Sequence, residues 1–400
     1  MGTVTGGLAD ALARWATELE PSVDDLALAR RSLLDTVGVT FAARANPLRD
    51  VFSTLGEAGR WSALAHVLDY DDLHLPSTTH ISAVCVPVAV SCGGDRGADP
   101  ARAYLAGAGV MARLGTALSW RHYSAGWHAT CTAGAPAAAV TAAVARGLDA
   151  AATARAIALA VPAAGGVQRA FGTAAKSLQV AFAAEAGVRA AALAAAGATA
   201  DPSALEQWMT LVGGDPAALA LDGAAVPGGL AIKPFPCCYA LQRPIAVVQT
   251  LEKPVATDRI RRIGVRTPAA SLAPLIHHSP TTGLEGKFSL EYGIAAALLD
   301  GRPGFKSFSD AAVRRHEAAR LMRTVDVTAT DGGDHLLTGE IAIEVEVDDG
   351  AGLRAALALP PGAPGRPVTD DELMAKLELC GADDLAELSW ESAARLLRQI

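Results

Sequence analysis

Between Leu8 and about Gln249, apolar side chains, mostly Ala and Leu, recur at helical spacing and break at Gly and Pro where helices end. Three starts are explicit. Ser22-Val-Asp-Asp opens a helix running to about Ala43, and Asp99-Pro100 pairs a capping carboxylate with a proline at the first helical position. Asp149 opens a third, ending near Pro162. The pattern predicts roughly ten helices before residue 250. Beyond it, β-branched residues alternate with polar ones over Asp258–Thr267, Arg323–Thr330, Glu340–Asp348 and Leu353–Leu359, the signature of strands. Helices are expected between them at Phe288–Leu299 and Asp310–Arg320, and Thr369-Asp-Asp-Glu is a capping-box start. The predicted fold is mostly α with a second α+β domain. A helical domain spans 1–252, an α+β domain 253–368, and C-terminal helices in 369–400 pack back on the helical domain.

Composition narrows the function classes. With 51% hydrophobic and 19% charged residues in 400, the chain has ample apolar surface for packed cores and is far from the disordered class. A net charge of −8 gives no basic footprint, so no nucleic-acid partner is expected. No membrane span is expected either: the longest uncharged stretch, Tyr123–Ala145, is built from Ala, Gly, Ser, Thr, His and Pro, which gain little in lipid. The first twenty residues lack a basic flank followed by an apolar core, which predicts a cytoplasmic protein. Six cysteines form no CxxC pair, which disfavours an iron–sulfur cluster and disulfides.

Candidate chemistry is uneven along the chain. His66, His74 and His80 surround Asp69-Tyr70-Asp71-Asp72, and His122 and His128 flank Ser124–Trp127. A carboxylate beside an imidazole raises its pKa, which would keep a proton available near neutral pH. A solvated helix end is the plain alternative. Metal ligation is a third, with no closely spaced ligand set behind it, so no metal is expected. Lys176 and Lys233 sit among apolar neighbours, either as surface lysines or as a basic pocket for a carboxylate. Gly172–Ser177 lacks the glycines of a phosphate loop, and Gly107-Ala-Gly109 lacks those of a dinucleotide fold. Tyr292, on an Ala- and Leu-rich helix, reads as core by default.

Six motifs in order resemble the MmgE/PrpD superfamily, which contains 2-methylcitrate dehydratase and cis-aconitate decarboxylase. They are D-Y-D-D-x-H with a following T-H (69–80), G-W-H-x-T (126–130), K-S-L (176–178), K-P-F-P-C-C (233–238), K-F-S-x-x-Y (287–292) and G-x-P-x-x-P-x-T-D-D-E-L (362–373). The resemblance implies a homodimer and a cofactor-free site between domains that takes a small carboxylate. It maps catalytic roles onto Asp69, His80, His128 and Tyr292, and substrate binding onto Lys176 and Lys233. Leu73, Gln179 and Gln242 also map to substrate-binding positions; Leu73 stands where the decarboxylases carry Thr, and the two glutamines replace histidines. Ile81 replaces a proline. Glutamine keeps hydrogen bonds but no charge, which favours a differently shaped or less anionic ligand. The implied activity is a dehydratase or decarboxylase acting on a small di- or tricarboxylic acid by proton transfer next to a carboxylate. An isomerase or epimerase of a related imino diacid, a non-catalytic relative, and a terpene-synthase-like metal enzyme are the alternatives.

Overall fold

The computed structural model describes residues 7–93, 99–251, 256–350, 352–382, 385 and 387–400. Local capping explains why the predicted helices start where they do. Ser22 accepts from the Asp25 amide while Asp25 accepts from the Ser22 amide, closing a capping box on Val23–Ala42. Asp99 and Asp149 accept from the second and third amides of Pro100–Ser124 and Ala150–Ala160.

At the centre of the helical part lies Ala129–Ala145, buried along its whole length and packed against Ile81–Cys92, Pro100–Ser124, Ala150–Ala160 and Ala174–Ala195. Its alanines set the spacing. A Cβ added at Gly187 would come within 2.3 Å of the Ala138 Cβ, so these helices meet almost backbone to backbone. The Ala richness that lifts the mean hydropathy is therefore a close-packing device. One helix among the described residues, Ala174–Ala195, is long and apolar enough to cross a membrane. In the fold one face packs on Ala129–Ala145 and on Glu57–Val67.

The second core is built on a four-stranded sheet of order β2-β1-β3-β4, with β1 Ile260–Pro268, β2 Val325–Thr330, β3 Ile341–Val347 and β4 Gly352–Leu357. β1 and β2 are parallel; β3 runs antiparallel to both β1 and β4. One face buries Ile263, Val265, Ile341, Ile343 and Val345. The other is open and charged, with Arg262 bridging Asp326 on β2 and Glu346 on β3.

Two details differ from the sequence-based expectation. The helix expected over Asp310–Arg320 is broken into Asp310–Val313 and His316–Met322, because Arg315 turns extended and places its guanidinium 2.7 Å from Asp300. The expected boundary at 252/253 lies outside the described residues. Core membership changes earlier: Phe235 to Val248 pack with the sheet, and helix Gln242–Gln249 lies on β3 and β4. At the far end Asp370–Leu379 and Trp390–Leu397 return to the helical core, where Leu373, Leu377 and Leu397 are buried and Trp61 Nε1 donates to the Leu397 carbonyl.

Candidate active site

The site forms where three helices begin and one ends. His80 is the N-cap of Ile81–Cys92, His128 the N-cap of Ala129–Ala145, and Lys176 stands in the first turn of Ala174–Ala195. Their amide-bearing ends carry partial positive charge toward the same point. Helix Glu57–Val67 ends there, and the chain turns through Asp69 in the left-handed region, at φ 53°. Thr78, also bordering the site, has φ 55°. Non-glycine residues persist in that region only where the surroundings over-determine them, and such strain gathers at functional sites. Asp69, Leu73, Thr78, His80, His128 and Lys176 wall one side of a small, partly open cavity of about 20 Å³; Cys238, Tyr239, Phe288 and Leu336 wall the other. Arg243, buried, holds Leu336 in place by donating to the carbonyls of Leu336, Leu337 and Gly339.

A hydrogen-bond chain runs along the wall. His66 Nδ1 donates to Asp71 Oδ2 at 2.8 Å, and Lys176 Nζ donates to His66 Nε2 at 2.6 Å. His80 Nδ1 lies 2.9 Å from the same Asp71 oxygen, at ion-pair distance but off hydrogen-bond alignment. Asp69 receives Lys233 on Oδ1 at 2.5 Å and faces Lys176 with Oδ2 at 3.3 Å. Gln179 fixes the tautomer of His128. Its Oε1 accepts from the Val167 amide, so its Nε2 donates to His128 Nδ1 at 2.6 Å, leaving the imidazole proton on Nε2. The His128 amide is itself held by the Gly166 carbonyl, and Gly166, at φ +121°, packs so close to Cys131 that a Cβ would fall 2.6 Å from it.

Protonation follows from burial and neighbours. Burial drives the His80 imidazole down to about 3; Asp71 pulls it upward, and Lys233 and His66 push it further down. Burial, then Lys176, holds His66 below its ordinary value, and burial, Lys176 and the other two rings hold His128 well below. This corrects the expectation that carboxylates would raise these imidazoles. They are neutral, because desolvation and the lysines outweigh Asp71. Burial alone would raise Asp69, but Lys176 and Lys233 hold it far below the usual carboxylate range; Asp71 is held low against its burial by the two imidazoles whose Nδ1 atoms face it, His66 through a donated hydrogen bond. Asp69 thus stays ionised between two ammonium groups, and Asp71, rather than Asp69, is the carboxylate beside the imidazoles.

Of the residues singled out in the sequence, Asp69, Leu73, His80, His128 and Lys176 border the cavity, and Gln179 stands behind His128. Three do not reach it. Lys233 is fully buried, its ammonium committed to the Asp69 carbonyl and carboxylate. Gln242 ties the loop Phe235–Cys238 together through the Phe235 amide and carbonyl and the Cys237 carbonyl. Tyr292 points into the second core, where its hydroxyl donates to the Ser307 carbonyl and its ring meets Phe308 edge-on. Tyr292→Phe should accordingly keep kcat within about twofold while losing about 1 kcal/mol of stability from one buried hydrogen bond, read by steady-state rates and urea melts. A kcat loss above tenfold would return the phenol to the chemistry. Conversely, Gln179→Leu frees the His128 tautomer and should lower kcat about tenfold or more with a smaller change in KM. An unchanged kcat would remove Gln179 from that role.

His66 and Asp71 are site residues to which the motifs gave no role, although the signal was present, since they sit in or beside the acidic cluster. His66, Asp71 and His80 also offer ligand atoms within 4.8 Å of one another. A divalent ion there would face the Lys176 ammonium across the His66 ring, which opposes a second cation.

The N-terminal domain of MmgE/PrpD matches residues 53–212 and the C-terminal domain of MmgE/PrpD matches residues 235–397. No curated protein matches the chain. The first match holds Asp69, Asp71, His80, His128 and Lys176, the second holds the opposite wall, and Lys233 falls between them. The two matches take in most of the sequence and both walls of the cleft: the chain belongs to the MmgE/PrpD family, whose members are generally enzymes of the dehydratase type.

Proposed function

We propose that the protein is a lyase that removes a proton from the carbon next to a carboxylate and expels the group on the neighbouring carbon, most simply as water. The observation that carries this reading is the pairing of two neutral imidazoles with opposite free ends. His80, with Nδ1 turned to Asp71, presents the Nε2 lone pair as base; His128, with Nδ1 accepting from Gln179, presents Nε2–H as donor. A neutral imidazole donor beside a helix N-terminus can polarise the substrate carboxylate through its hydrogen bond, and the imidazolium formed on His80 can pass the proton it took from carbon to the departing hydroxyl, so that water leaves and both rings end neutral. Lys176, placed at a helix start, takes the substrate carboxylate and stabilises the enediolate-like anion that follows proton loss. Base, donor and cation in this step all come from the chain itself.

The charge count supports a narrower substrate than the resemblance implied. Around the cavity stand one ammonium, Lys176, one carboxylate, Asp69, and two neutral imidazoles, with Leu73, Phe171, Phe288 and Leu336 as apolar wall and Thr78, Cys238 and the two tyrosines Tyr123 and Tyr239 as uncharged polar groups. An acid with one or two carboxylates and a short apolar part suits that balance better than a tricarboxylate. A cavity of about 20 Å³ holds about one water, so the walls must part to admit an acid. The reading is tested by incubating the protein with small hydroxy mono-, di- and tricarboxylic acids and following alkene absorbance and released carbon dioxide. Alkene from the less charged acids is expected. Turnover of tricarboxylates alone would contradict the charge argument, and carbon dioxide without water loss would make it a decarboxylase.

A further inference from the structure

Three consecutive carbonyls at the start of the acidic segment each receive a buried ammonium from a different part of the chain. Lys287 Nζ donates to the Leu68 carbonyl at 2.6 Å, Lys233 Nζ to that of Asp69 at 2.9 Å, and Lys376 Nζ to that of Tyr70 at 2.7 Å. The three lysines are 5%, 0% and 5% exposed, so each has given up most of its hydration to stand there. Lys376 comes from the returning helix Asp370–Leu379. Its ammonium also lies 2.6 Å from Asp35, buried on Val23–Ala42, and 3.9 Å from the centre of the Tyr70 ring.

We infer that Lys376, with Asp35 as its counter-charge, is a positioning residue of the active site: together with Lys287 and Lys233 it clamps the turn that aims Asp69 and Asp71. This deepens the reading proposed above and rests on it. The clamped carbonyls follow the C-terminus of Glu57–Val67, the negative end of a helix, where cations are favoured. They also flank Asp69, whose left-handed backbone needs its neighbours fixed. Two residues on, Asp71 sits between His66 and His80, so any slackening of the turn moves the carboxylate that orients the base. Lys376 does not line the cavity bordered by Asp69, His80 and Lys176; it borders a separate cleft of about 620 Å³ with Tyr70 and Lys233. Its effect is transmitted through the backbone of Tyr70.

The test uses the full chain with Lys376→Met, and with Asp35→Asn/Lys376→Met in case the lone Asp35 charge unfolds the single variant. Both variants are read by kcat and KM and by ring-nitrogen NMR signals of labelled histidines. Misplacing a catalytic group by about an ångström costs about 10²-fold, so kcat is expected to fall about 10- to 10²-fold with KM within about threefold. The His66 and His80 signals should shift, while those of exposed His316 and His335 stay in place. A folded double variant with unmoved His66 and His80 signals overturns the inference, as does an unchanged kcat. Should the natural protein turn over none of the acids offered, the functional reading fails but the histidine signals still decide the clamp.

Discussion

His80→Gln is expected to lower kcat by about 10²- to 10⁴-fold, the usual contribution of a positioned general base, while leaving the fold intact. Gln keeps a polar group of similar reach but offers no lone pair of comparable basicity. The pH dependence supplies a second signature. Because burial and two neighbouring cations or rings push the His80 imidazole down to about 3, the base form dominates throughout the neutral range. The rate of the natural protein should therefore stay level from neutral pH down to about pH 5 and fall only as the medium approaches the imidazole's own value, where protonation removes the lone pair. An ordinary histidine would give an acid limb near its unperturbed value of about 6.5 instead. The variant should lose the limb together with the rate. If His80→Gln retained more than about a tenth of kcat, another group would be the base.

Lys176→Met is expected to have the other large effect, a fall of about 10²- to 10³-fold in kcat/KM from the loss of the cation facing the developing anion. Met preserves the unbranched stem, so packing against Phe171 and Phe288, over which the ammonium lies at 5.7 and 5.4 Å, is largely kept. The change also strips the donor from His66 Nε2 and one of two cations from Asp69, so a modest drop in melting temperature should accompany it. Substrate binding and rate should suffer together, since the carboxylate meets Lys176 in both ground and transition states. A variant with unchanged KM and a kcat within about twofold would show that the substrate does not engage this lysine.

Much of the fold was legible because its causes are local. Ser22, Asp99, Asp149 and Thr369 cap helices within three residues of themselves, and β1 to β4 carry the period-two alternation of a sheet with one dry face. What the pattern missed is tertiary. Arg315 leaves its helix for Asp300, and Phe235–Val248, helical in texture, belongs to the sheet's core because that is the apolar surface it meets. The cavity-lining residues Asp69, His80, His128 and Lys176 came from motifs taken in order, because spacing alone left each with a plain structural alternative. A motif fixes that a side chain is present, not where its polar end goes. Tyr292 matches its motif yet bonds to the Ser307 carbonyl, and Gln242, which stands where the relatives carry a histidine, bonds to the 235–238 loop. Imidazole charge was misjudged for a related reason. The neighbouring carboxylates are visible in the sequence, whereas the burial and the ammonium of Lys176, 110 positions from His66, are not. Lys376 is further still, 306 positions from the carbonyl it holds.

The most direct measurement is proton exchange at the carbon next to the carboxylate. Small hydroxy acids would be incubated with the protein in deuterium oxide and followed by proton NMR, alongside His80→Gln and Lys176→Met. Loss of the α-proton signal, with or ahead of alkene formation, is expected with the natural protein and should be absent with both variants. Turnover without wash-in of deuterium at that carbon and without a primary isotope effect on its proton, or exchange that survives in His80→Gln, would contradict a neutral imidazole taking a proton in this cleft.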